Sequence, residues 1–292
     1  MSLTTAQIVD YRRDGFIVLQ SFFDQAMICE VGDVIERITR DAIASGNTEG
    51  VMELEPQKDG DVPRPRRILE PFERDECFRR LVTQDLLLDC VESLIGPNIV
   101  LHISKLNFKP ARVGSVVEWH QDLAYYPHTN DDLVTVLVYI DDATEENGCL
   151  CVLPRHHHHY FEHSLPDGRF AGMITEDLDG GRYGQAVPLV APRGSVILLH
   201  PVTPHSSHPN LSDQARRTII VSFRASDAVP IWYNERVALA EKHTYLVRGQ
   251  PAKFARFGGP APLLPKYDDS CEFKSLYTLQ DEAKLPPPTP CR

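Results

Sequence analysis

Apolar residues recur along this chain at two different spacings, and the change falls near residue 97. In the first third the spacing is helical. Thr4-Thr5-Ala6-Gln7 has the pattern of a capping box and opens a short helix that ends before Gly15. Phe16-Ile17-Val18-Leu19 reads as a strand, and from Asp24 the positions Met27, Val31, Val34, Ile35 and Ile38 share one helical face. The polar stretch from Asn47 to Arg67, with Asp59-Gly60 and Pro63-Arg64-Pro65, predicts a long loop. A second helix is predicted from about Asp75 to Ile95, stopped by Gly96-Pro97.

From Asn98 the pattern becomes short β-rich runs separated by turns: Ile99 to Lys109, Leu133 to Ile140, Leu150 to Leu153, Val187 to Val190, Val196 to His200 and Thr218 to Phe223. Strands at this spacing, without intervening helical patterns, predict an antiparallel sandwich or jelly roll with the helices packed on one sheet. After Val229 the chain is irregular and Pro-rich. It carries Trp232 and Tyr233 and ends in Leu285-Pro286-Pro287-Pro288, a poorly ordered tail. Without repeats or a sharp composition break, the expectation is one domain over 1–292. Residues 1–97 form helical support, 98–228 the β core and 229–292 a C-terminal extension.

Charge narrows the partners. The chain has 30 Lys+Arg against 41 Asp+Glu, a formal net charge of −11. That disfavours a broad nucleic-acid footprint or adhesion to an anionic membrane. No run approaches the roughly 20 apolar residues that span a bilayer, and Met1-Ser2-Leu3-Thr4 lacks a signal-peptide pattern. A cytoplasmic protein acting on a small molecule is the expectation. The seven cysteines are scattered without a C-x-x-C pair and read as free thiols, with Cys149 and Cys151 on one strand face.

The first candidate chemistry is Trp119-His120-Gln121-Asp122. On extended chain, His120 and Asp122 point to the same side, so an imidazole and a carboxylate can take adjacent positions on one metal ion. A third donor must come from elsewhere. His200, His205 and His208 compete for that place, in the stretch that follows the apolar run from Val196. Arg216 opens the next strand, and its guanidinium suits a dicarboxylic co-substrate held near the metal. Arg217 should face the other way. Tyr125 and Tyr126 follow the motif closely and are candidates for the substrate wall. Trp119 reads as packing, His156 to His159 as a solvated loop, and Arg64, Arg66 and Arg67 as part of the long polar loop.

Taken together, His120-Gln121-Asp122, Asp142-Ala143-Thr144-Glu145-Glu146-Asn147-Gly148-Cys149-Leu150 and His205-Ser206-Ser207-His208-Pro209-Asn210-Leu211-Ser212-Asp213 with Arg216 resemble the phytanoyl-CoA dioxygenase family. So does the opening Tyr11-Arg12-Arg13-Asp14-Gly15-Phe16-Ile17-Val18-Leu19. The resemblance covers roughly residues 7 to 225. It implies a double-stranded β-helix, a cupin-like jelly roll, and an Fe(II)/2-oxoglutarate-dependent dioxygenase that consumes O2 and hydroxylates an organic substrate with release of succinate and CO2. It further implies His120, Asp122 and His205 as catalytic iron ligands and Arg216, supported by Ser207, on the distal carboxylate of 2-oxoglutarate. Asn107 and Lys105 would serve the co-substrate from one strand face. Related halogenases lack the carboxylate ligand; Asp122 is present. Where family members often have Gly-Ser-His, this chain has Arg155 followed by four histidines. Two other classes share these residues: a non-catalytic jelly-roll metal- or ligand-binding protein, and a zinc-type hydrolase or lyase.

Overall fold

A computed structural model describes residues 2–56, 62–178, 181–231, 241–261 and 274–284. Trp232, Tyr233, the Pro286–Pro288 run, Asp59-Gly60, Cys271 and Cys291 lie outside the described residues. Helix α1 (Thr5–Asp14) starts on a complete Thr4–Gln7 capping box and stops at Gly15, whose φ of 84° closes the helix in the left-handed region. Strand β1 (Phe16–Leu19) follows directly. Helix α2 (Gln25–Ser45) is capped by the Asp24 side chain and buries the stripe Ile28, Val31, Ile35, Ile38 and Ala42.

The helix expected from Asp75 to Ile95 is two helices, α3 (Glu76–Val82) and α4 (Asp85–Ile95). Gln84 leaves the helical region at ψ 138°, and the Thr83 hydroxyl bonds back to the Arg79 carbonyl. Here a β-branched pair and a back-bonding Thr outweigh the apolar period. The stretch expected as a loop from Asn47 to Arg67 also departs from its reading. Strands β2 (Met52–Leu54) and β3 (Pro65–Leu69) form there, and β3 pairs with β4 (Ile99–Lys109). Pro65 stands at the strand start, where no ladder N–H is needed. The partner that makes β3 a strand is about 40 residues away, beyond any local signal.

The remaining strands are β5 (Val117–His120), β6 (Leu133–Tyr139), β7 (Leu150–Val152), β8 (Val187–Pro188), β9 (Val196–Leu199), β10 (His205–Ser207), β11 (Arg216–Ala225) and β12 (Tyr245–Arg248). The large antiparallel sheet runs β1-β9-β6-β11-β4-β3-β2, with β12 also paired to β4. The small sheet runs β5-β10-β7-β8. Three strands of the large sheet thus come from the segment read as helical support, and one comes from beyond residue 228.

Alternation along the central strands assigns each side chain to one of two cores. Val134, Val136 and Val138 of β6, with Ile219, Val221 and Phe223 of β11, face the helices and join α2, α3 and α4 in one apolar cluster. Leu137 and Tyr139 face inward, where they meet Leu150 and Val152 of the small sheet and Ile197 and Leu199 of β9. Both faces are buried, which is why these strands read as continuous apolar runs. The inner face carries polar side chains among the apolar ones: Thr135, Thr218, Lys105 and Asn107.

Gly148 fixes how the β7 turn meets the end of β10. Its φ is 72°, and a Cβ there would lie 2.3 Å from the His208 carbonyl oxygen. Gly148→Ala is expected to destabilise the fold by more than about 1 kcal/mol in urea denaturation.

Candidate metal centre and its cavity

Pairing of β5 with β10 places His205 directly opposite His120. Gln121 continues the extended chain past β5, and Asp122 opens a 3-10 turn, so the His120 and Asp122 side chains converge. Asp122 Oδ1 lies 4.0 Å from His120 Nε2 and 3.9 Å from His205 Nε2. The two imidazole centroids are 4.1 Å apart. One donor atom from each of these three buried residues falls within 4.8 Å of the others, the one such group of His, Cys, Asp and Glu among the described residues.

Each donor is aimed by a second bond. His120 Nδ1–H donates to the Glu118 carbonyl and His205 Nδ1–H to the Thr203 carbonyl, both at 2.9 Å. A carbonyl only accepts, so both rings carry the proton on Nδ1 and turn the Nε2 lone pair inward. The Thr135 hydroxyl donates to Asp122 Oδ2 at 2.6 Å and leaves Oδ1 for the centre. Burial, reinforced by the His205 ring, pushes His120 well below the usual imidazole range, and burial also lowers His205. Burial would raise Asp122, but His205, Lys105 and His120 together hold it below its ordinary value. Two neutral imidazoles and one carboxylate are the protonation state a divalent cation requires. Behind them, buried Gln121 donates to the His159 and Val202 carbonyls and accepts from the Phe161 N–H, clamping the turn.

The three residues open on a cavity of ≈ 50 Å³. Lys105, Asn107, Ser207 and Arg216 all line it. Arg216 is buried. Its Nη1 donates to Thr218 Oγ1 at 2.6 Å, while its Nε has no partner among the described residues. A buried guanidinium nitrogen left without an acceptor marks a place for an anion supplied from outside. The same chain step explains the contrast with Arg217, which points to the opposite face and is held by Asp141 at 2.7 and 2.9 Å.

Other expectations are revised. His200 sits 3.6 Å from Asp131 and His208 is exposed, so neither joins the group. Tyr125 and Tyr126 do not line the cavity. The 3-10 turn after Asp122 redirects them: Tyr125 bonds the Gly172 carbonyl, and half-buried Tyr126 shares a hydrogen bond with Ser222. The histidine run is not wholly solvated. His157 is buried with Nε2 3.2 Å from the Arg12 carbonyl, and His156 bonds the Tyr183 carbonyl. Cys149 and Cys151 are buried and form no disulfide. Arg66 and Arg67 are buried rather than solvated, and Arg67 lines the cavity. Thr135 and Thr218 were not singled out from the sequence; Thr218 stands two residues from Arg216 on the same strand, a signal that alternation offers, whereas Thr135, Arg67 and Leu276 carried none.

A jelly roll whose two sheets enclose a His–Asp–His donor set, with a buried arginine facing the same cavity, defines a cupin-like fold built around a metal centre. The sequence profile described as "Phytanoyl-CoA dioxygenase (PhyH)" matches residues 11–218, and the chain belongs to that family. It is 33% identical over 230 residues to the probable alpha-ketoglutarate-dependent hypophosphite dioxygenase of Stutzerimonas stutzeri, covering 76% of this chain and 79% of that protein. It is 27% identical over 244 residues to the L-proline trans-4-hydroxylase of Streptomyces griseoviridis, with 76% and 87% covered. In fold it is similar to the crystal structure of EctD from S. alaskensis with bound Fe, with a TM-score of 0.66, 21% identity and 88% of each chain covered.

Lys109 lies behind Arg216 and donates to the carbonyls of Ser115 and His208 at 2.6 and 2.7 Å. Burial, with the Arg216 charge adding to it, lowers its ammonium to about 7; Glu55 and Cys151 oppose this and Arg66 adds to it. Between that value and the ordinary 10.5, the unfolded chain holds a proton that the native lysine has released. Native stability attributable to Lys109 therefore rises with pH across this window, and below about 7 the cost of the buried charge is fully present. Urea denaturation at about pH 6 and about pH 9 should show the parent gaining on Lys109→Met at the higher pH, by on the order of 2 kcal/mol.

Proposed function

We propose that His120, Asp122 and His205 hold Fe(II) and that Arg216, with Ser207, binds the distal carboxylate of 2-oxoglutarate. The chain is an Fe(II)/2-oxoglutarate-dependent oxygenase of the phytanoyl-CoA dioxygenase family. The observation that carries the residue assignment is the convergence of two Nε2 atoms and one Oδ1 within 4.8 Å on a cavity that buried Arg216 also lines, its Nε without a partner among the described residues. With both groups bound, one atom of O2 replaces a substrate hydrogen by hydroxyl and the other enters succinate as 2-oxoglutarate loses CO2.

The chain's own residues prepare that site. The Glu118 and Thr203 carbonyls keep both imidazoles in the ligating tautomer, and Thr135 fixes the carboxylate. His120, Asp122 and His205 would hold the ion through three donors and leave it open to co-substrate and O2 from the cavity. Arg216 offers Nε and its second terminal nitrogen to one carboxylate, Ser207 adds a hydroxyl, and Asn107 and Lys105 add an amide and a charge on the same wall. Leu137, Leu150 and Ile220 exclude water from the remainder. The substrate is a small or medium organic molecule. Relatives are named for hypophosphite, L-proline, methylphosphonate and phytanoyl-CoA. We further propose that residues 1–292 act as one unit in the cytoplasm, without nucleic-acid or membrane partners. The net charge of −11 supports this, and no helix among the described residues is long and apolar enough to cross a membrane.

Succinate formed from 2-oxoglutarate with Fe(II) and O2 tests the class. His120→Ala should reduce it by more than about 100-fold. Arg216→Gln should raise the half-saturating 2-oxoglutarate concentration by about 10- to 100-fold, the worth of a charge-assisted bond. Activity with zinc in the absence of O2 would instead assign a hydrolytic or lyase reaction, and a protein binding neither iron nor 2-oxoglutarate would be a binding module.

A further inference from the structure

The cavity holds more positive charge than the proposed co-substrate uses. Arg67, Lys105 and Arg216 line it, and Asp122 is the one carboxylate among its lining residues. Ferrous iron and the 2-oxoglutarate dianion would cancel each other in charge, so Arg67 is not neutralised by them. Its counter-ion among the described residues is Glu53 at 3.9 Å, and in a low-dielectric pocket a guanidinium so loosely paired favours a further anion.

Arg67 is the residue left over. Strand register puts Arg67 beside Asn107 and Asn107 beside Thr218, to which the Arg216 guanidinium is bonded. Arg67 thus enters the cavity two strands from Thr218, roughly 10 Å along the sheet. Its Nε donates to Asn107 Oδ1 at 3.1 Å. Its terminal nitrogens make no hydrogen bond among the described residues, and the nearest carboxylate, Glu53, stands 3.9 Å from Nη1. A guanidinium that is 6% exposed, with its terminal nitrogens held only by the long Glu53 ion pair and its side chain lining a cavity, is suited to take an oxyanion.

What orients Arg67 comes from outside the matched family region. The Tyr277 ring lies 5.2 Å from its guanidinium carbon and 4.3 Å from that of Arg66. Tyr277 belongs to helix α5 (Leu276–Ala283), and its neighbour Leu276 lines the cavity. The helix is firmly seated. Gln280 accepts from the Glu118 N–H and donates to the Gly172 carbonyl, and Lys284 pairs with Glu118 at 2.6 Å. Gly172 has a φ of 65°, and a Cβ there would lie 2.7 Å from Leu279 Cβ, so the backbone at this seat accepts no larger residue.

We propose that Arg67 anchors an anionic group of the substrate and that α5, through Tyr277 and Leu276, holds that anchor and roofs the cavity, so that the substrate is a small oxyanion, carboxylate or phosphorus-based. The inference rests on the co-substrate assignment above. The C–H or P–H bond of this anion is the one converted to hydroxyl, with O2 as oxidant and 2-oxoglutarate as the co-reductant that leaves as succinate and CO2.

The test is succinate formation with Fe(II), O2 and 2-oxoglutarate, with hypophosphite, methylphosphonate and propionate as probes and methyl propionate and dimethyl methylphosphonate as uncharged controls. At least one oxyanion should stimulate turnover and yield the oxidised product, while the neutral esters do not; which one responds distinguishes phosphorus from carboxylate chemistry. Arg67→Gln should raise the half-saturating oxyanion concentration by about 10- to 100-fold, and by a larger factor than it raises that of 2-oxoglutarate. Arg67→Lys should recover part of the loss. Tyr277→Leu should shift the same constant in the same direction, and Leu276→Ala should move preference from methylphosphonate toward propylphosphonate. These last two keep the test decisive should Arg67→Gln not fold. An equal or larger shift for 2-oxoglutarate would make Arg67 a co-substrate ligand and overturn the proposal. Succinate formation indifferent to every oxyanion would overturn it while leaving the class intact, whereas no succinate with any iron added would remove both.

Discussion

Antiparallel pairing of β5 and β10 is the constraint on which the centre depends. Two short strands, four and three residues long, bring His205 opposite His120 across 85 positions of sequence. A slip of one residue would turn one imidazole to the other face and dismantle the donor set. The register is therefore held from several sides. Gln121 clamps the turn after β5, Lys109 gathers the carbonyls beyond β10, and Gly148 lets the β7 turn approach His208 without a clash. None of these three residues touches the centre, yet each limits where its ligands can lie.

The large sheet solves a different problem, since it must bury apolar residues on one face and polar ones on the other. Its outer face does so against α2, α3 and α4 with Val, Ile, Leu and Phe side chains. Its inner face mixes Leu137 and Ile220 with Thr135, Thr218, Lys105 and Asn107, which would be costly in a closed core. The cost is offset where these groups find partners: Thr135 on Asp122, Asn107 on Arg67, Thr218 on Arg216. Arg216 Nε stays without a partner among the described residues, in a residue that lines the cavity.

The arginines show how one residue type divides between structure and binding. Arg66 is spent on Glu55 and Ser115, and Arg217 on Asp141 and Glu36. These buried or half-buried pairs are complete without a ligand. Arg216 faces away from its neighbour Arg217 with Nε unpartnered among the described residues, and Arg67, beside Arg66, lines the cavity. In an acidic protein of net charge −11, these two arginines place positive charge on one cavity wall, a local feature that the global charge does not reveal.

Much of this was legible in the amino-acid order because it rests on local periodicity. The capping box at Thr4, the apolar face of α2, the strand from Ile99 to Lys109 and the same-side placement of His120 and Asp122 all follow from spacings of two to four residues. Spacing also separated Arg216 from Arg217 and put Lys105 with Asn107. It could not choose among His200, His205 and His208, because the choice is made by pairing with a strand 85 residues earlier. Nor could it promote the polar run before Leu69 to a strand, since β3 exists through its bonds to β4. Arg67 was hidden for that reason, and Leu276 because its helix reaches the cavity from the far end of the chain. Sequence alone determined which residues could face inward. Tertiary structure decided which of them meet, because strand register and helix seating are set by partners distant along the chain.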